Sequence, residues 1–167
     1  VKTCQGLFMK HSTKPRSSCP INYSLEIVGD AWSLLILRDI IYFGKHTFGE
    51  FHASSEGIAR NILTNRLTKL EQNGILTKQP HPDGRKDTYM VTEKGLDLVP
   101  ILLVSAEWGA SYGIEVDAPA WWLDTVRTHR EQITREIKQA VREGRSVFIG
   151  DNSVASKYLP ADLAVSQ

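Results

Sequence analysis

A group of hydrogen-bonding side chains falls at helical spacing within residues 58–74. Arginine and asparagine carry donors and acceptors that match the exposed edges of guanine and adenine in duplex DNA. Here they share the polar face of a helix with a threonine, mainly in its N-terminal half: Arg60, Asn61, Thr64 and Asn65. The pattern predicts contacts with base edges, and its alternative is a solvated helix face.

Further cations near this face suit contacts with phosphate. Arg66 lies partly around the side of the same helix, so its position is as consistent with an internal salt bridge as with contact to a phosphate or a base. For Lys69 the prediction is a phosphate contact, with simple surface charge as the alternative. Arg85 and Lys86 lie at a later turn, where they predict contacts with the DNA backbone or minor groove, or an ordinary polar turn. The net charge is only +1, but residues 1–20 hold four cations and no acid. Binding depends on how charge is distributed rather than on its sum.

Cys19 is the residue best placed for thiol chemistry. It precedes Pro20 and follows Lys14 and Arg16, and cationic neighbours favour the reactive thiolate form of a cysteine. Oxidation would give a sulfenic acid or a disulfide, with Cys4 as a candidate resolving thiol. The alternative is a small buried apolar residue, as unpaired cysteines often are.

The sequence lacks the groupings that enzymes and metal sites require. There is no glycine-rich phosphate loop and no Gly-x-Ser-x-Gly turn, and the five histidines have no nucleophile at informative spacing. The two cysteines do not form a zinc-ligand pattern with any histidine. We therefore expect no catalytic residues, no metal and no cofactor.

Composition indicates a compact soluble protein. The 167 residues are 41% hydrophobic and 23% charged, which is close to the globular average. No apolar run approaches the ~20 residues of a membrane span, and residues 1–10 lack the apolar core of a signal peptide. We expect a cytoplasmic protein with no membrane partner.

The elements that position these side chains follow from periodicity and punctuation. An apolar turn at residues 25–28 precedes a core helix at 30–43, with Asp30 as its N-cap. Thr47 to Glu50 has the form of a capping box and starts a short helix. A turn then leads to the amphipathic basic helix, which ends at Gly74. Two helices joined by a tight turn are typical of a helix-turn-helix.

A β-hairpin is predicted directly after this second helix. Short β-like runs at residues 75–79 and 88–92 flank an Asp-Gly turn, and a hairpin in this place is a wing. Thr92 then caps a further helix, with a kink at Pro100 and an end at Gly109 and Gly113.

A boundary at residues 117–119 precedes a long helix at 121–143 with one broad apolar face. This helix either pairs with that of a second copy or folds back onto its own domain, and we favour dimerisation. The aromatic residues at 108–122 predict core or dimer packing, with a ligand pocket as the alternative. The dimer contacts are predicted to come from the helices around residues 21–28, 93–112 and 121–143. The individual residues predicted to make them are Trp108, Tyr112, Trp122, Val126, Ile133 and Ile137. The stretch from residue 144 to 167 has no assigned structure.

The order of these elements and motifs resembles the HxlR-type winged-helix transcriptional regulators. The matching residues span Ser18 to Tyr112 in family-like order: Cys19-Pro20, Gly29 to Asp39, Phe48 to Phe51, Gly57-Ile58, Leu63 to Leu67, Leu70-Glu71, Gly74 to Leu76, Tyr89, Thr92 to Gly95, Pro100 and Trp108-Gly109. One departure is Ala59, where many members have a serine or threonine that caps the recognition helix. Ser54 or Ser55 is the candidate substitute.

This resemblance implies a homodimer that binds a pseudo-palindromic double-stranded DNA operator. It also implies, as in several members, a response to an oxidant or small-molecule electrophile through Cys19. The expected fold is α+β, a winged helix-turn-helix with a two-stranded wing and additional dimerisation helices. The expected organisation is a basic N-terminal arm at 1–17, the winged-helix domain at 18–112 and a C-terminal helical extension for dimerisation at 113–167.

The function predicted from the sequence is therefore DNA-binding transcriptional regulation by a homodimer. The alternative is a winged-helix regulator or protein-interaction module controlled by a small ligand or partner at the aromatic C-terminal region. Replacement of Arg60 by alanine separates them, since only a DNA reader should lose operator binding.

Overall fold

The computed structural model describes residues 16–80, 84, 86–113 and 116–164. Its elements in chain order are helices α1 (Pro20–Val28), α2 (Ser33–Phe43), α3 (Phe48–His52) and α4 (Arg60–Gln72), strands β1 (Leu76–Pro80) and β2 (Asp87–Val91), helices α5 (Glu93–Leu96), α6 (Val99–Tyr112) and α7 (Ala120–Arg142), a 3-10 helix (Ala155–Tyr158) and helix α8 (Ala161–Ala164). The architecture is the predicted α+β winged helix-turn-helix.

The first two helices meet at Asp30. Helix α2 begins three residues later than predicted, so its N-cap residue is Trp32 rather than Asp30, although the Asp30 carboxylate still accepts hydrogen bonds from backbone N–H groups at this end. Its Oδ1 accepts hydrogen bonds of 3.0 Å from the backbone N–H groups of both Trp32 and Ser33. The Ser33 hydroxyl donates to Oδ2 at 2.6 Å. Helix α1 is longer than the predicted apolar turn, because Pro20 has the backbone angle that a first helical turn needs.

The helix-turn-helix consists of α3 and α4. The capping box at Thr47 and Glu50 is present as predicted. Ala59 occupies the N-cap of α4 and gives no side-chain hydrogen bond. Neither candidate serine replaces it, because the Ser54 hydroxyl bonds to Asp39 and that of Ser55 to Glu56. Gly74 follows α4 with a φ of +68°, the left-handed conformation that favours glycine.

The wing is an antiparallel pair of strands, each shifted by one residue from its predicted range. Leu76 pairs with Val91 and Pro80 with Asp87. The wing is joined to the start of α3, since the Tyr89 N–H donates to the His46 carbonyl at 2.7 Å. Most of the predicted turn, including Arg85, lies outside the described residues.

The prediction of one helix kinked at Pro100 is wrong. The chain forms two helices, α5 and α6, with the break at residues 97–98. Pro100 lies in the first turn of α6, where its missing N–H costs no hydrogen bond. Gly109 lies inside α6, and Gly113 is its C-cap.

Helix α7 runs antiparallel to α5 and α6 and is joined to them by ion pairs. In order along α7, Arg130 pairs with Glu107, Lys138 with Asp97 and Arg142 with Glu93, at 2.6 to 2.7 Å. Its apolar face is buried in the protein's own core. The prediction that this face contacts a second copy is therefore wrong for Trp122, Val126, Ile133 and Ile137, and the alternative, folding back onto the domain, is correct.

The segment after α7 closes the C-terminal end of α2. The backbone N–H of Val147 donates to the Ile41 carbonyl and that of Phe148 to the Tyr42 carbonyl, both at 3.0 Å. These bonds satisfy carbonyls that the end of a helix leaves unpaired. Phe148 also packs edge-on against Tyr42 and Trp122, with ring centroids 5.5 and 5.3 Å apart. The C-terminal extension is thus part of the same core.

Within the described residues, every helix is too short or too polar to cross a lipid bilayer.

Candidate nucleic-acid interface

Helix α4 presents one polar face to solvent and buries the other. Leu63, Leu67 and Leu70 are buried in the core. Arg60, Asn61, Thr64 and Asn65 are all exposed, as their spacing predicts. Thr68 lies one turn beyond Thr64 and is exposed too. Sequence reasoning missed it by stopping at the N-terminal half, although the same spacing includes it.

Two of these side chains are partly engaged within the helix. The Thr64 hydroxyl donates to the Arg60 carbonyl at 2.9 Å, which leaves its oxygen free to accept. Arg66 donates from Nη1 to the side-chain oxygen of Asn65 at 3.3 Å, so the side-chain NH2 group of Asn65 remains as a donor. Asn61 has neither constraint among the described hydrogen bonds. It therefore presents both an acceptor and a donor, the pair that adenine requires.

Arg66 and Lys69 are tied to the start of α2. Arg66 Nε lies 3.1 Å from Asp30 Oδ1, without the alignment of a hydrogen bond, and Lys69 Nζ lies 3.7 Å from Oδ2. Burial acts to raise the pKa of Asp30, but hydrogen bonds from Ser33 and Trp32 outweigh it and hold the pKa below its usual value. The carboxylate is thus charged at neutral pH and positions α4 against α2.

A buried polar network fixes the turn that enters α4. Asp39 is 3% exposed and accepts hydrogen bonds from Arg38, Lys45 and Ser54. Arg38 also binds Glu56 in the turn itself, and this hydrogen bond lowers the pKa of Glu56 to about 2. Buried charges are tolerated when they are paired and hydrogen-bonded. The network therefore joins α2, the loop before α3 and the turn after α3 into one support.

On the wing, Lys86 is exposed, whereas Arg85 lies outside the described residues. Lys86 lines a groove between the base of the wing and the start of α3, with Phe48 and Tyr89 among its other lining residues. The neighbouring Asp87 pairs with Lys78 at 2.7 Å. The groove adjoins the element that precedes α4.

Cys19 is exposed at the N-cap of α1, and its backbone N–H donates to the Ser17 hydroxyl at 3.3 Å. Arg16 pairs with Glu26 of α1 at 3.2 Å, so its charge is shared with a carboxylate. Cys4 and Lys14 lie outside the described residues. The thiol is accessible, and the alternative of a buried cysteine is excluded.

Two helices expose apolar side chains to solvent. On α6, Trp108 and Tyr112 are 67% and 74% exposed, with ring centroids 5.4 Å apart. On α1, Ile21 and Leu25 are 69% and 55% exposed. Large apolar side chains exposed in groups mark contact surfaces. Sequence reasoning includes the helix around residues 21–28 in the dimer surface but does not single out Ile21 and Leu25.

Among the described residues, no group of three or more histidine, cysteine, aspartate or glutamate side chains is arranged to hold a metal ion.

A polar, partly basic helix following a short helix and preceding a β-hairpin defines a winged helix-turn-helix protein of the DNA-binding class. The profile of the HxlR-like helix-turn-helix family matches residues 27–117, more than half of the chain. The protein belongs to the HxlR-like helix-turn-helix family.

Known proteins similar to this chain are regulators. An HTH-type transcriptional regulator of Mycobacterium bovis, Mb3122, is 38% identical over 93 residues, which cover 55% of this chain and 58% of the relative. The chain thus matches little more than half the length of that curated relative. PA1607, a proposed transcription factor of known crystal structure, superimposes with a TM-score of 0.56 at 38% identity, over 62% of this chain and 72% of that one. The redox regulator HypR in its oxidised form superimposes with a TM-score of 0.52 at 33% identity, over 60% of this chain and 100% of the HypR chain.

Proposed function

We propose that the protein is a transcriptional regulator that binds a pseudo-palindromic double-stranded DNA operator as a homodimer. The observation that carries the proposal is the exposed face of α4, on which Arg60, Asn61, Thr64 and Asn65 stand over a buried leucine row. A helix of this form enters the major groove with its N-terminal residues toward the bases. Arg85 and Lys86 contact flanking backbone or minor groove from the wing.

The dimer forms through the exposed apolar side chains of α6 and α1, with Trp108 and Tyr112 at its centre. Aromatic side chains of this kind are enriched at protein interfaces and at their energetic hot spots. A two-fold axis through this surface would set two α4 helices into successive major grooves, about 34 Å apart. A ligand or partner bound by the same aromatic pair is the second candidate function, and the pair's exposure is what favours it.

Cys19 controls the spacing of the two recognition helices. It begins α1, the helix that carries Ile21 and Leu25, so its oxidation would alter the dimer surface. Helix α1 also reaches the far end of α4 through Lys94, whose Nζ lies 3.4 Å from the Tyr23 hydroxyl and 2.9 Å from the Asn73 carbonyl. Similarity to HypR, a redox regulator, supports this role.

Operator binding is tested by fluorescence anisotropy on the DNA upstream of the protein's own gene and on DNA selected from a random library, against scrambled DNA at equal salt. We expect selective binding by the wild type and a loss of at least about tenfold in Asn61→Ala, because a bidentate base contact worth ~1–3 kcal/mol is lost at each of the two half-sites. Asn152→Ala is the matched control, since Asn152 is exposed in the C-terminal segment. Absence of any selected sequence would contradict the proposal and favour the ligand or partner module.

The thiol switch is tested on the same DNA with the reduced protein and after a thiol oxidant. We expect oxidation to change the operator affinity of the wild type several-fold and to leave that of Cys19→Ser unchanged. Cys4→Ser shows whether the product is a disulfide to Cys4, which needs both of these cysteines, or a product that Cys19 forms without Cys4, such as a sulfenic acid. A full oxidant response in Cys19→Ser would remove Cys19 as the sensor and leave DNA binding intact.

A further inference from the structure

Arg60 differs from the other cations of α4 in the groups that surround its guanidinium. Arg66 and Lys69 are both held by Asp30. No carboxylate of the described residues lies within ion-pair distance of Arg60. Its guanidinium carbon instead lies 5.7 Å from the centroid of the Phe48 ring. A guanidinium over an aromatic face is attracted by the ring electrons yet keeps its N–H donors free.

Phe48 is itself held in place from three sides. It is the first residue of α3, directly after the capping box of Thr47 and Glu50. Its half-buried ring packs on the core and lies parallel to the His52 ring one turn later, with centroids 6.3 Å apart. The preceding residue, Thr47, forms a bridge with Thr88 of the wing. The ring is therefore a fixed support rather than a mobile surface group.

We propose that Phe48 is a positioning residue that holds the Arg60 guanidinium ready to bind a guanine of the operator. The inference rests on the proposed function and adds a base preference to it. A free arginine side chain populates many rotamers, and part of this freedom is lost when it binds. Stacking on Phe48 restricts the side chain before DNA arrives, so less is lost on contact. The planar fork then faces guanine O6 and N7 in a two-bond contact.

The matched variants are Phe48→Leu, which removes the ring and keeps an apolar side chain, Phe48→Tyr, which keeps the ring, and Arg60→Ala. Arg60→Lys is a second probe on an exposed position, since it keeps the charge but loses the planar group. The affinity of each variant is measured for the operator that the wild type selects, for every single-base substitution of that operator, and for non-specific DNA.

We expect Arg60→Ala to abolish the preference for guanine at one position of each half-site. Phe48→Leu and Arg60→Lys should each weaken binding about fivefold to tenfold, and only through that position. Phe48→Tyr should match the wild type. The double variant Phe48→Leu with Arg60→Ala should be no weaker than Arg60→Ala alone, because the ring acts only through the guanidinium.

Independent, multiplying effects in the double variant would overturn the inference. The inference would also be overturned if Arg60→Ala lost equal affinity for operator and for non-specific DNA, because that result would assign Arg60 to phosphate contact. If the wild type selects an operator and Arg60→Lys binds it as well as the wild type, the inference fails and the proposed function stands. If the wild type selects no sequence, the proposed function fails and this inference with it.

Discussion

Replacement of Trp122 by alanine is expected to lower the free energy of unfolding by about 3–5 kcal/mol, the range for large aromatic residues removed from a core. Trp122 is 4% exposed, and its ring packs edge-on against Phe148 and Trp121. Phe148 in turn contacts Tyr42 at the end of α2. The change therefore leaves a cavity where α7 and the C-terminal segment join the DNA-binding domain, and the melting temperature should fall by roughly 10 °C.

The neighbouring Trp121 provides the matched control. It is the same residue type on the same helix turn but is only half-buried, so Trp121→Ala should cost less than half as much. Urea unfolding followed by circular dichroism measures both variants. Equal and small losses in the two would mean that the extension is not docked on α2 in solution. A single unfolding transition in the wild type is also expected, since the buried contacts join both regions.

Local signals predicted the part of the fold that carries the recognition helix. The capping box at Thr47 needs only residues three apart, and Gly74 marks a left-handed residue whatever surrounds it. The leucine spacing of α4 assigned its buried face, and hence the exposed face opposite. The Asp-Gly turn signal gave the wing to within one residue at each strand. Each of these features is decided within a few residues of chain.

Partners distant in sequence were beyond such signals. The apolar face of α7 showed that Ile133 and Ile137 must be buried, but an amphipathic helix does not reveal against what. The hydrogen bond from the Val147 N–H to the Ile41 carbonyl joins backbone atoms. It does not depend on the type of either residue, so the sequence does not indicate it. The sequence predicts either a phosphate contact or an internal salt bridge for Arg66. Only the fold shows that Asp30 lies beside it.

The double replacement Trp108→Glu and Tyr112→Glu is expected to convert the proposed dimer into a monomer. Both side chains are mostly exposed in the single chain, so the fold should keep its melting temperature within a few degrees. In a dimer they would be buried, and four carboxylates facing one another across a two-fold axis would be both desolvated and mutually repelled. Light scattering should show the molar mass fall by half.

Operator affinity should fall with the dimer, by at least about 100-fold. A dimer that binds one half-site holds its second recognition helix at a high effective concentration near the other, and a monomer loses this advantage. Ile149→Glu is the control, because Ile149 is 59% exposed in the C-terminal segment and carries no predicted contact. It should leave mass and affinity unchanged. A dimeric double variant would move the interface elsewhere, and a monomeric wild type that still binds its operator tightly would overturn the two-fold arrangement itself.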